Sequence, residues 1–510
     1  MCGFLFQINS KLPIDTTKFS NQLNLLKWRG PDHQKIIFLN HKRIGLMHCR
    51  LSIQDLKSHA HQPMSSQNDR YFILFNGEIY NHFDLRKKLK LNCKTNSDTE
   101  TIIEGYSKVG KKIFEMLDGM FAIVILDKLN NNWIAARDSF GIKPMYLYQD
   151  DITTIISSET HIVSSLIDAK ICDFSLKELR LLRRPIPGKT IYKNIYEVLP
   201  GTILTSSGNR TKIWDWEQKN ESFDQNFLED LIQKSIQKHL ISDVKVVSLL
   251  SGGIDSAIIS SQSKIQKSYT VGLFRNNEFK QTQITADKLK IDLRQIKISK
   301  SSLFNAWKYL VNLRNEPLNL PNEGLLYLVF KSFEKQEKVA LTGEGADEIF
   351  FGYDRIFRMA NFDKNMNINK LMKAYMYDNS NHTERMKDYL FDLSRGKSLI
   401  NFLEDFFYQH HLPTLLRRMD FASMASSKEA RVPFVDKSII SYLYRLPSFI
   451  KINNKEAKIP LREIVKKFNL FNVLDKNKIG FNSRVNLKDD RLNEYKKFYN
   501  FQFKELGWNK

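Results

Sequence analysis

The sequence is poor in cysteine and has no long hydrophobic run. Four cysteines occur in 510 residues, Cys2, Cys49, Cys93 and Cys172, and none forms a C-x-x-C pair. This spacing predicts neither a disulfide framework nor a zinc site. The longest clean apolar run, "MFAIVIL" at residues 120–126, has the length of a buried strand, whereas a membrane span needs ~18 residues. The start of the chain has no basic segment followed by a long apolar one, so we expect no signal peptide, no membrane association and a cytoplasmic location.

The charge of the chain is strongly positive, with 78 Lys and Arg against 56 Asp and Glu and a net charge of +22. A balance of this kind is compatible with a nucleic-acid or membrane-surface partner. However, the basic residues are scattered along the chain and no nucleic-acid-binding motif accompanies them. This pattern favours solvated surface lysines and predicts no nucleic-acid partner, while anionic small substrates remain compatible.

The length exceeds what one hydrophobic core usually supports, so at least two domains are expected. The first ~200 residues read as short strands and turns, with "VLPGTILT" at 198–205 predicted to form a closing hairpin around Pro200 and Gly201. A polar segment at roughly 208–225 then separates domains predicted at 2–210 and 225–510. In the second domain strands alternate with helices, which predicts an α/β doubly wound parallel sheet. From about Ile368 onward the pattern is mostly helical.

The strongest local signal is "LLSGGIDSA" at residues 249–257. A buried strand runs into Ser251, Gly252 and Gly253, and a helix is predicted to begin near Asp255. The glycine pair allows a sharp turn in which successive N–H groups face an anion, and the helix N-terminus adds partial positive charge. Ser251 and Ser256 add hydroxyl donors. The alternative is an ordinary turn with a Ser or Asp helix cap, but the combination favours phosphate binding. It is not the kinase-type phosphate loop. The segment "SGGIDS" instead resembles the pyrophosphatase loop of ATP enzymes that adenylate a carboxylate and release pyrophosphate.

Two further segments are predicted at the same edge of this sheet, because ligands of doubly wound sheets bind at the carboxyl ends of the strands. Val271 is expected to line the adenine site, and Thr342 with Gly343 is expected near the nucleotide. "LTGEGADE" at 341–348 also carries an acidic cluster. Carboxylates beside a phosphate loop repel ATP unless a cation intervenes, so Asp255 and Asp347 are predicted Mg²⁺ ligands. Helix-cap carboxylates are the alternative.

Ordered motifs cover nearly the whole chain and identify a family resemblance. They are "MCGF", "RGPD" (29–32), "RLSIQD" (50–55), "FNGEIYN" (75–81), "SDTE" (97–100), "RDSFGIKPMY" (137–146), "LLSGGIDS" (249–256), "LTGEGADEIFFGY" (341–353), "MASSKEARVPFVD" (424–436) and "KIPLR" (458–462). The chain resembles the asparagine synthetase family, and its N-terminal part is similar to class II glutamine amidotransferases. The resemblance implies an α+β N-terminal-nucleophile glutaminase domain, an αββα sandwich, followed by an ATP-pyrophosphatase synthetase domain with a helical C-terminal part.

For the first domain, the resemblance implies that Cys2 attacks the amide of glutamine and releases ammonia. If Met1 is removed, the α-amine of Cys2, with a pKa of ~8, can act as general base toward its own thiol, with a pKa of ~8.5. Asn76 and the N–H of Gly77 would form the oxyanion hole, Arg50 would hold the α-carboxylate of glutamine, and Asp98 its α-amine. The remaining pocket residues implied are Leu51, Ser52, Ile53, Gln54 and Glu78.

For the second domain, the resemblance implies ATP-dependent adenylation of the aspartate β-carboxylate, followed by attack of ammonia to give asparagine, AMP and pyrophosphate. Lys458 is expected to neutralise phosphate and developing charge, and Glu344 to handle the proton of ammonia. The acceptor is expected to contact Asp347, Glu348 and Arg431. The predicted ATP-binding residues are Leu250, Ser251, Gly252, Gly253, Asp255, Ser256, Val271, Thr342 and Gly343.

Two other functions stay open. The same chemistry can act on another carboxylate, such as a surface-polysaccharide sugar, a peptide or a secondary metabolite. A non-catalytic binding or regulatory paralogue is the other alternative, and the presence of Cys2, Asn76, Asp255, Glu344 and Lys458 argues against it. The expected ligands are therefore glutamine, aspartate, ATP and Mg²⁺. The sequence does not fix the oligomeric state, for which a homodimer is retained as a candidate.

Overall fold

A computed structural model describes residues 2–214, 222–376, 381–474 and 491–508. Part of the predicted polar linker, 215–221, lies outside the described residues. Met1 also lies outside them, as do 475–490 and 509–510 of the predicted second domain. The described strands in chain order are β1 Cys2–Asn9, β2 His33–Leu39, β3 Ile44–Arg50, β4 Met64–Ser65, β5 Tyr71–Ile79, β6 Gly119–Asp127, β7 Trp133–Arg137, β8 Tyr146–Gln149, β9 Thr153–Ser157, β10 Tyr196–Glu197, β11 Thr202–Thr205, β12 Arg210–Lys212, β13 Lys245–Leu249, β14 Lys267–Leu273, β15 Asp292–Ile298, β16 Glu337–Leu341 and β17 Glu429–Arg431.

The helices surround these strands. In chain order the described helices are α1 Thr16–Leu26, α2 His82–Leu89, α3 Asp98–Val109, α4 Ile113–Met116, α5 Thr160–Ile167, α6 Asp173–Leu182, α7 Gln225–Lys238, α8 Ile254–Ser263, α9 Phe279–Leu289, α10 Lys300–Arg314, α11 Glu323–Lys331, α12 Ala346–Ile349, α13 Asp354–Phe362, α14 Ile368–Tyr375, α15 Glu384–Ser394, α16 Leu399–Phe406, α17 Leu412–Met424, α18 Lys437–Leu443, α19 Ser448–Lys451, α20 Ile459–Lys467 and α21 Arg491–Glu505. Of the helices described, none is both long enough and apolar enough to cross a membrane.

The first domain contains two antiparallel six-stranded sheets, with strand orders β10-β8-β9-β1-β3-β2 and β12-β11-β7-β6-β5-β4. Successive side chains of β1 point to opposite faces, and this explains how the two sheets stack. Phe4 and Phe6 pack into the core between the sheets with Val124 of β6. Leu5 points the other way and packs with Phe19 of α1. Helices α2 to α4 cover the outer face of the second sheet. The domain is therefore the αββα sandwich that the resemblance implied.

Strand β6 shows why its apolar run is continuous. Val124 faces the neighbouring sheet, whereas Ile123 and Ile125 face the helices on the outer side. Because both faces of this strand are buried, neither face needs polar residues, and the usual alternation of a half-exposed strand is lost. The sequence prediction of a buried strand is confirmed.

The second domain contains a five-stranded parallel sheet with the order β15-β14-β13-β16-β17. Helices cover both faces: α10 and α11 pack on one side, and α7 and α8 pack on the other. The predicted doubly wound sheet and the helical C-terminal part are confirmed. Strands β13 and β16 are direct neighbours, so the loops that follow Leu249 and Leu341 lie side by side at the carboxyl edge.

One predicted element is wrong. The segment 198–205 does not form a hairpin, because its two ends belong to different sheets. The strand before the turn, β10, pairs with β8 of the first sheet, and the strand after it, β11, pairs with β7 and β12 of the second. Pro200 and Gly201 thus carry the chain from one sheet to the other. Strand β12 also continues past the predicted domain boundary at residue 210.

Candidate active site

The predicted nucleophile lies at the start of β1, inside the first domain. Cys2 is buried and stands directly opposite Arg50 in the pairing of β1 with β3. The backbone N–H of Cys2 donates to Oδ1 of Asn76 at 2.9 Å. The other amide atom, Nδ2 of Asn76, is buried and makes no hydrogen bond within the described part of the chain. A buried N–H₂ group without a partner fits a donor that awaits an oxygen of a bound ligand.

Glycine is required at position 77, next to Asn76. A β-carbon there would lie 2.0 Å from the backbone oxygen of Met120 and 2.8 Å from the Cα atom of Phe121. Because both atoms belong to the backbone of β6, neither can move without disturbing the sheet. The close strand pairing therefore keeps the Gly77 N–H beside Asn76 without a covering side chain.

Arg50 is held by the loop that follows its own strand. Its guanidinium donates to the carbonyl oxygens of Gln54 at 3.0 Å, Asp55 at 2.5 Å and Lys57 at 3.1 Å. No carboxylate within the described ranges forms an ion pair with Arg50. Because a guanidinium has five N–H donors, some donors remain for a ligand, and three carbonyls fix the orientation of the group. The predicted contact with a substrate carboxylate stays a prediction.

Two buried carboxyl groups complete the glutamine pocket predicted around Cys2. Glu78 accepts a short hydrogen bond from the side-chain amide of Gln54, and Asp98 accepts one from the Ile79 N–H at 3.0 Å. Burial, together with the neighbouring carboxylates of Glu429 and Asp98, raises the pKa of Glu78 to about 8. Burial raises the pKa of Asp98 to about 6. At neutral pH Glu78 is therefore mostly protonated, whereas Asp98 stays mostly ionised.

The Cys2 thiol is not an ionised nucleophile in this environment. Burial raises the pKa of the thiol, and this effect is only partly offset by the positive N-terminus, by a hydrogen bond from the Leu51 backbone and by Arg50. The thiol form predominates at neutral pH, so attack on a carbonyl carbon requires a base that takes its proton.

Ser52 and Ile53 lie where this pocket meets the second domain. The Ser52 carbonyl accepts from Nζ of Lys338 at 3.4 Å, and the Ile53 carbonyl accepts from the Asp243 N–H at 3.0 Å. The Ile53 side chain packs with residues of the second domain, including Val339. Both residues thus join the interface, and their predicted part in lining the glutamine pocket is not tested by these contacts.

The predicted phosphate loop connects β13 to α8. Ser256 closes it from the helix side, because its hydroxyl accepts from the Ser251 N–H at 2.9 Å. The N–H of Gly252 donates to a carboxylate oxygen of Glu278 at 3.0 Å. A carboxylate on this amide shows that the loop presents an N–H to an anion. The neighbouring loop packs tightly here, since a β-carbon on Gly343 would lie 2.8 Å from Cβ of Asp255.

Lys458 joins the two carboxylates that were predicted to bind Mg²⁺. Its ammonium group lies 2.6 and 2.7 Å from the two carboxylate oxygens of Asp255 and 2.6 Å from Oδ1 of Asp347. Both carboxylates therefore converge on one point. Within the described residues no cluster of three or more His, Cys, Asp or Glu side chains is arranged to hold a metal. Two carboxylates suit Mg²⁺, which usually takes its other ligands from phosphate and water.

Glu344 and Glu348 lie beside this centre with different partners. Glu344 forms a close ion pair with Arg418, which also donates to Asn322 at 3.1 Å. Glu348 accepts from the Tyr353 hydroxyl at 2.7 Å. Burial, with like charge from Asp347 and Glu344, raises the pKa of Glu348 to about 8. Glu344 is thus paired with a cation, while Glu348 is mostly uncharged at neutral pH.

Arg431 is placed differently from its predicted role. Its fully buried guanidinium pairs with Glu429 at 2.6 Å, lies 3.7 Å from Glu78 of the first domain and donates to the carbonyls of His239 and Ile241. These contacts belong to the domain interface, where the Glu429 carboxylate compensates the charge, and they give no support to a contact with the acceptor.

The remaining residues that were predicted to bind ATP are Leu250, Val271 and Thr342. The Leu250 N–H donates to the Tyr269 carbonyl at 2.9 Å, and the Thr342 N–H donates to the Arg431 carbonyl at 2.9 Å. Val271 is buried inside β14 rather than at its end. These contacts fix the backbone of the edge, and the predicted contacts of Leu250, Val271 and Thr342 with ATP stay predictions.

Three charged residues at these sites received no role from the sequence. Arg29 donates to the Cys2 carbonyl at 3.0 Å. Glu278 accepts from the Gly252 N–H, and Arg418 forms an ion pair with Glu344. Arg29 stands in the "RGPD" motif, which offered a signal. Glu278 and Arg418 meet their partners across long sequence separations, and their own neighbourhoods give no pattern.

Comparisons with known proteins agree with this two-part arrangement. The family model of a glutamine amidotransferase domain matches residues 1–217, and that of asparagine synthase matches residues 228–506. A curated relative, asparagine synthetase (glutamine-hydrolyzing) 1 of Bacillus subtilis (strain 168), is 29% identical, with 94% of this chain and 87% of the relative covered.

Two further likenesses are more distant. A protein named amidase chry2, of Gibberella zeae, is 28% identical, with 82% of this chain and 66% of that protein covered. Among solved structures, a glutamine phosphoribosylpyrophosphate amidotransferase from B. subtilis is 16% identical, with 58% of this chain and 65% of that chain covered. Its TM-score of 0.33 is too low to carry an argument.

The Lys458→Met variant tests the role of the ammonium group between the two carboxylates. The change removes the ammonium group that Asp255 and Asp347 share, and loss of one partner of a buried ion pair costs about 3 kcal/mol. We expect a lower urea midpoint in metal-free buffer and partial recovery when Mg²⁺ is added. Lys466→Met is the control, because its ion pair with Glu463 lies on an exposed helix surface, where solvent screens the two charges. Equal midpoints for both variants would contradict the assignment.

Proposed function

Because the chain belongs to the asparagine synthase family, we propose that it is a glutamine-dependent asparagine synthetase. Family membership makes it an ATP-dependent, glutamine-hydrolysing amide ligase, and aspartate as the acceptor is the proposed part. The observation that carries the proposal is the convergence of Lys458, Asp255 and Asp347 beside a loop that presents an amide to an anion. The same chain has a buried thiol beside Asn76, whose Nδ2 makes no hydrogen bond to any described residue.

In the first half-reaction, the Cys2 sulfur attacks the side-chain carbonyl carbon of glutamine. Its thiol proton passes to the α-amine that removal of Met1 would free, and then to the leaving ammonia. Nδ2 of Asn76 and the N–H of Gly77 donate to the oxygen that becomes negative. Water then cleaves the thioester and releases glutamate. Arg50 and Asp98 are proposed to hold the two ends of the amino-acid backbone of glutamine.

In the second half-reaction, an oxygen of the aspartate β-carboxylate attacks the α-phosphorus of ATP, and pyrophosphate leaves. Ammonia then attacks the activated carbonyl carbon, AMP leaves, and a proton is lost from nitrogen. Glu344 is proposed to take this proton, and its ion pair with Arg418 holds the carboxylate in position. Mg²⁺, held by Asp255 and Asp347, would neutralise charge on the phosphates. Lys458 would then be free to contact the phosphate that reacts.

Another carboxylate acceptor is the second candidate. It is supported by the likeness to a protein named amidase chry2, and by the uncharged state of Glu348 at neutral pH, since an ionised carboxylate would bind the ammonium group of aspartate more strongly. The ATP-dependent chemistry is the same in both candidates, so only the acceptor separates them.

An amidation assay with a panel of acceptors decides between the two. Purified protein is given ATP, Mg²⁺, glutamine and either aspartate, glutamate, a sugar acid or a peptide carboxylate, and AMP, ADP and amide are quantified. We expect AMP, pyrophosphate and asparagine with aspartate. AMP formation with another carboxylate but not with aspartate would establish the second candidate, whereas ADP as product would contradict the assignment of the loop.

Replacement of Cys2 by alanine separates the two half-reactions. Because the thiol serves only the release of ammonia, Cys2→Ala is expected to lose glutamine hydrolysis, by more than about 10³-fold. Synthesis from ammonium chloride should stay within about twofold of the unmodified protein. The matched control is Cys49→Ala, which removes a buried thiol from the neighbouring strand. Glutamine hydrolysis that survives in Cys2→Ala would exclude Cys2 as the nucleophile.

Glu348 predicts a pH dependence of acceptor binding. Its pKa is raised to about 8 without ligand, and only the ionised form attracts the ammonium group of aspartate. The fraction ionised rises with pH, so the KM for aspartate should fall roughly tenfold between pH 7 and pH 9. Glu348→Gln should abolish this slope in ammonia-dependent assays. A slope that persists in the variant would remove Glu348 from the acceptor site.

A further inference from the structure

Arg29 lies at the centre of a buried polar contact between the two domains. Its side chain is inaccessible to solvent. It donates to the carbonyl oxygen of Cys2 at 3.0 Å, to Glu159 at 2.5 Å and to Asp420 at 2.8 Å. Glu159 belongs to the first domain, whereas Asp420 lies on α17 of the second. The backbone of the nucleophile is therefore held by an arginine whose second carboxylate comes from the synthetase domain.

Further contacts between the two domains join the residues around Arg29 into a closed set. Thr160 follows Glu159 in sequence, and its hydroxyl donates to Glu316 of the second domain. Glu316 also accepts from Arg417 at 2.6 Å, and Arg417 precedes Asp420 by one turn of α17. We call this closed set the interdomain ring. Its members are Arg29, Glu159, Thr160, Glu316, Arg417 and Asp420.

Helix α17 also reaches the second active site. Arg418, which pairs with Glu344, stands two positions before Asp420 on the same helix. Two positions on an α-helix are separated by about 200° around its axis, so the two side chains leave the helix on nearly opposite sides. One side of α17 thus holds the proposed base of the synthetase reaction, and the other holds the arginine behind Cys2.

The contacts of Asp420 are suited to orienting the Arg29 guanidinium rather than to maximal stability of the folded protein. Its second oxygen, Oδ1, makes no hydrogen bond within the described residues and lies 3.5 Å from Nζ of Lys143. That ammonium group is itself buried without a hydrogen bond to any described residue. Buried ionic groups often contribute less to stability than apolar residues of the same size, whereas two fixed partners define the direction of a guanidinium closely.

We propose that Asp420 is a positioning residue for glutamine hydrolysis. Through Asp420 the synthetase domain fixes Arg29, Arg29 fixes the carbonyl of Cys2, and the backbone of Cys2 sets the position of the thiol relative to Asn76. The inference rests on the proposed function, in which glutamine is hydrolysed at Cys2. It adds that the glutamine site is incomplete without helix α17 of the other domain.

The test is Asp420→Asn, which keeps the volume of the side chain and removes its charge. Arg29 then loses one of its two carboxylates. We expect kcat for glutamine hydrolysis to fall at least tenfold, with KM for glutamine within about twofold of the unmodified protein. Synthesis from ammonium chloride should stay within about twofold, because Asp420 contacts neither the phosphate loop nor Lys458 among the described contacts.

Glu178→Gln is the matched control. Glu178 of α6 is fully buried and pairs across the same two domains with Arg385 and Thr383, but it touches neither site. A general weakening of the interface would affect both variants alike. A positioning role affects only Asp420→Asn.

Alkylation of Cys2 by iodoacetamide, followed by peptide mass spectrometry, gives a readout that does not need turnover. Its rate should change at least fivefold in Asp420→Asn and stay unchanged in Glu178→Gln. Unchanged kcat and alkylation in Asp420→Asn, or equal loss of the glutamine- and ammonia-dependent activities, would overturn the inference. If the unmodified protein hydrolyses no glutamine, the proposed function fails, and the alkylation rates still decide the role of Asp420.

Discussion

A guanidinium that no water reaches must have its charge compensated by groups of the protein, and Arg29 takes these groups from both domains. Burial opposes the charged state, but Asp420 and Glu159 raise the pKa of Arg29 above its ordinary value. Leaving such a charge unpaired costs several kcal/mol, so the two domains must meet in the one orientation that brings both carboxylates to it. Apolar packing of Ile53 against Val339 and the pair between Arg431 and Glu78 follow from that orientation.

The two sites use buried carboxyl groups in opposite ways. Around Cys2, burial raises the pKa values of Glu78 and Asp98, and Glu78 keeps its proton at neutral pH. Around the phosphate loop, the carboxylates of Asp255 and Asp347 share the ammonium group of Lys458. The first arrangement suits a ligand that brings a cationic group, and the second suits one that brings anions together with its own cation.

The separation of interacting residues along the sequence explains which parts of the structure could be predicted from it. The strands of both cores and the phosphate loop depend on neighbouring residues, and the fully buried β6 is recognisable from its apolar run alone. The hairpin at 198–205 was wrong because turn chemistry at Pro200 and Gly201 does not reveal which sheet each flanking strand joins. Ion pairs such as that of Arg418 with Glu344, or Arg29 with Asp420, join distant segments. Only the folded chain shows which charge meets which.

The hydrogen bond from the Gly252 N–H to the Glu278 carboxylate has a consequence for how a nucleotide binds and leaves. A phosphate that binds this loop, as proposed, meets an N–H that is already hydrogen-bonded. It replaces the carboxylate of Glu278, which lies between β14 and α9. Binding is then an exchange of one acceptor for another, so the N–H is never desolvated without a partner. The net gain from this one contact is small for the same reason. The same carboxylate would return to the amide when the phosphate leaves, so neither binding nor release would leave this N–H without an acceptor.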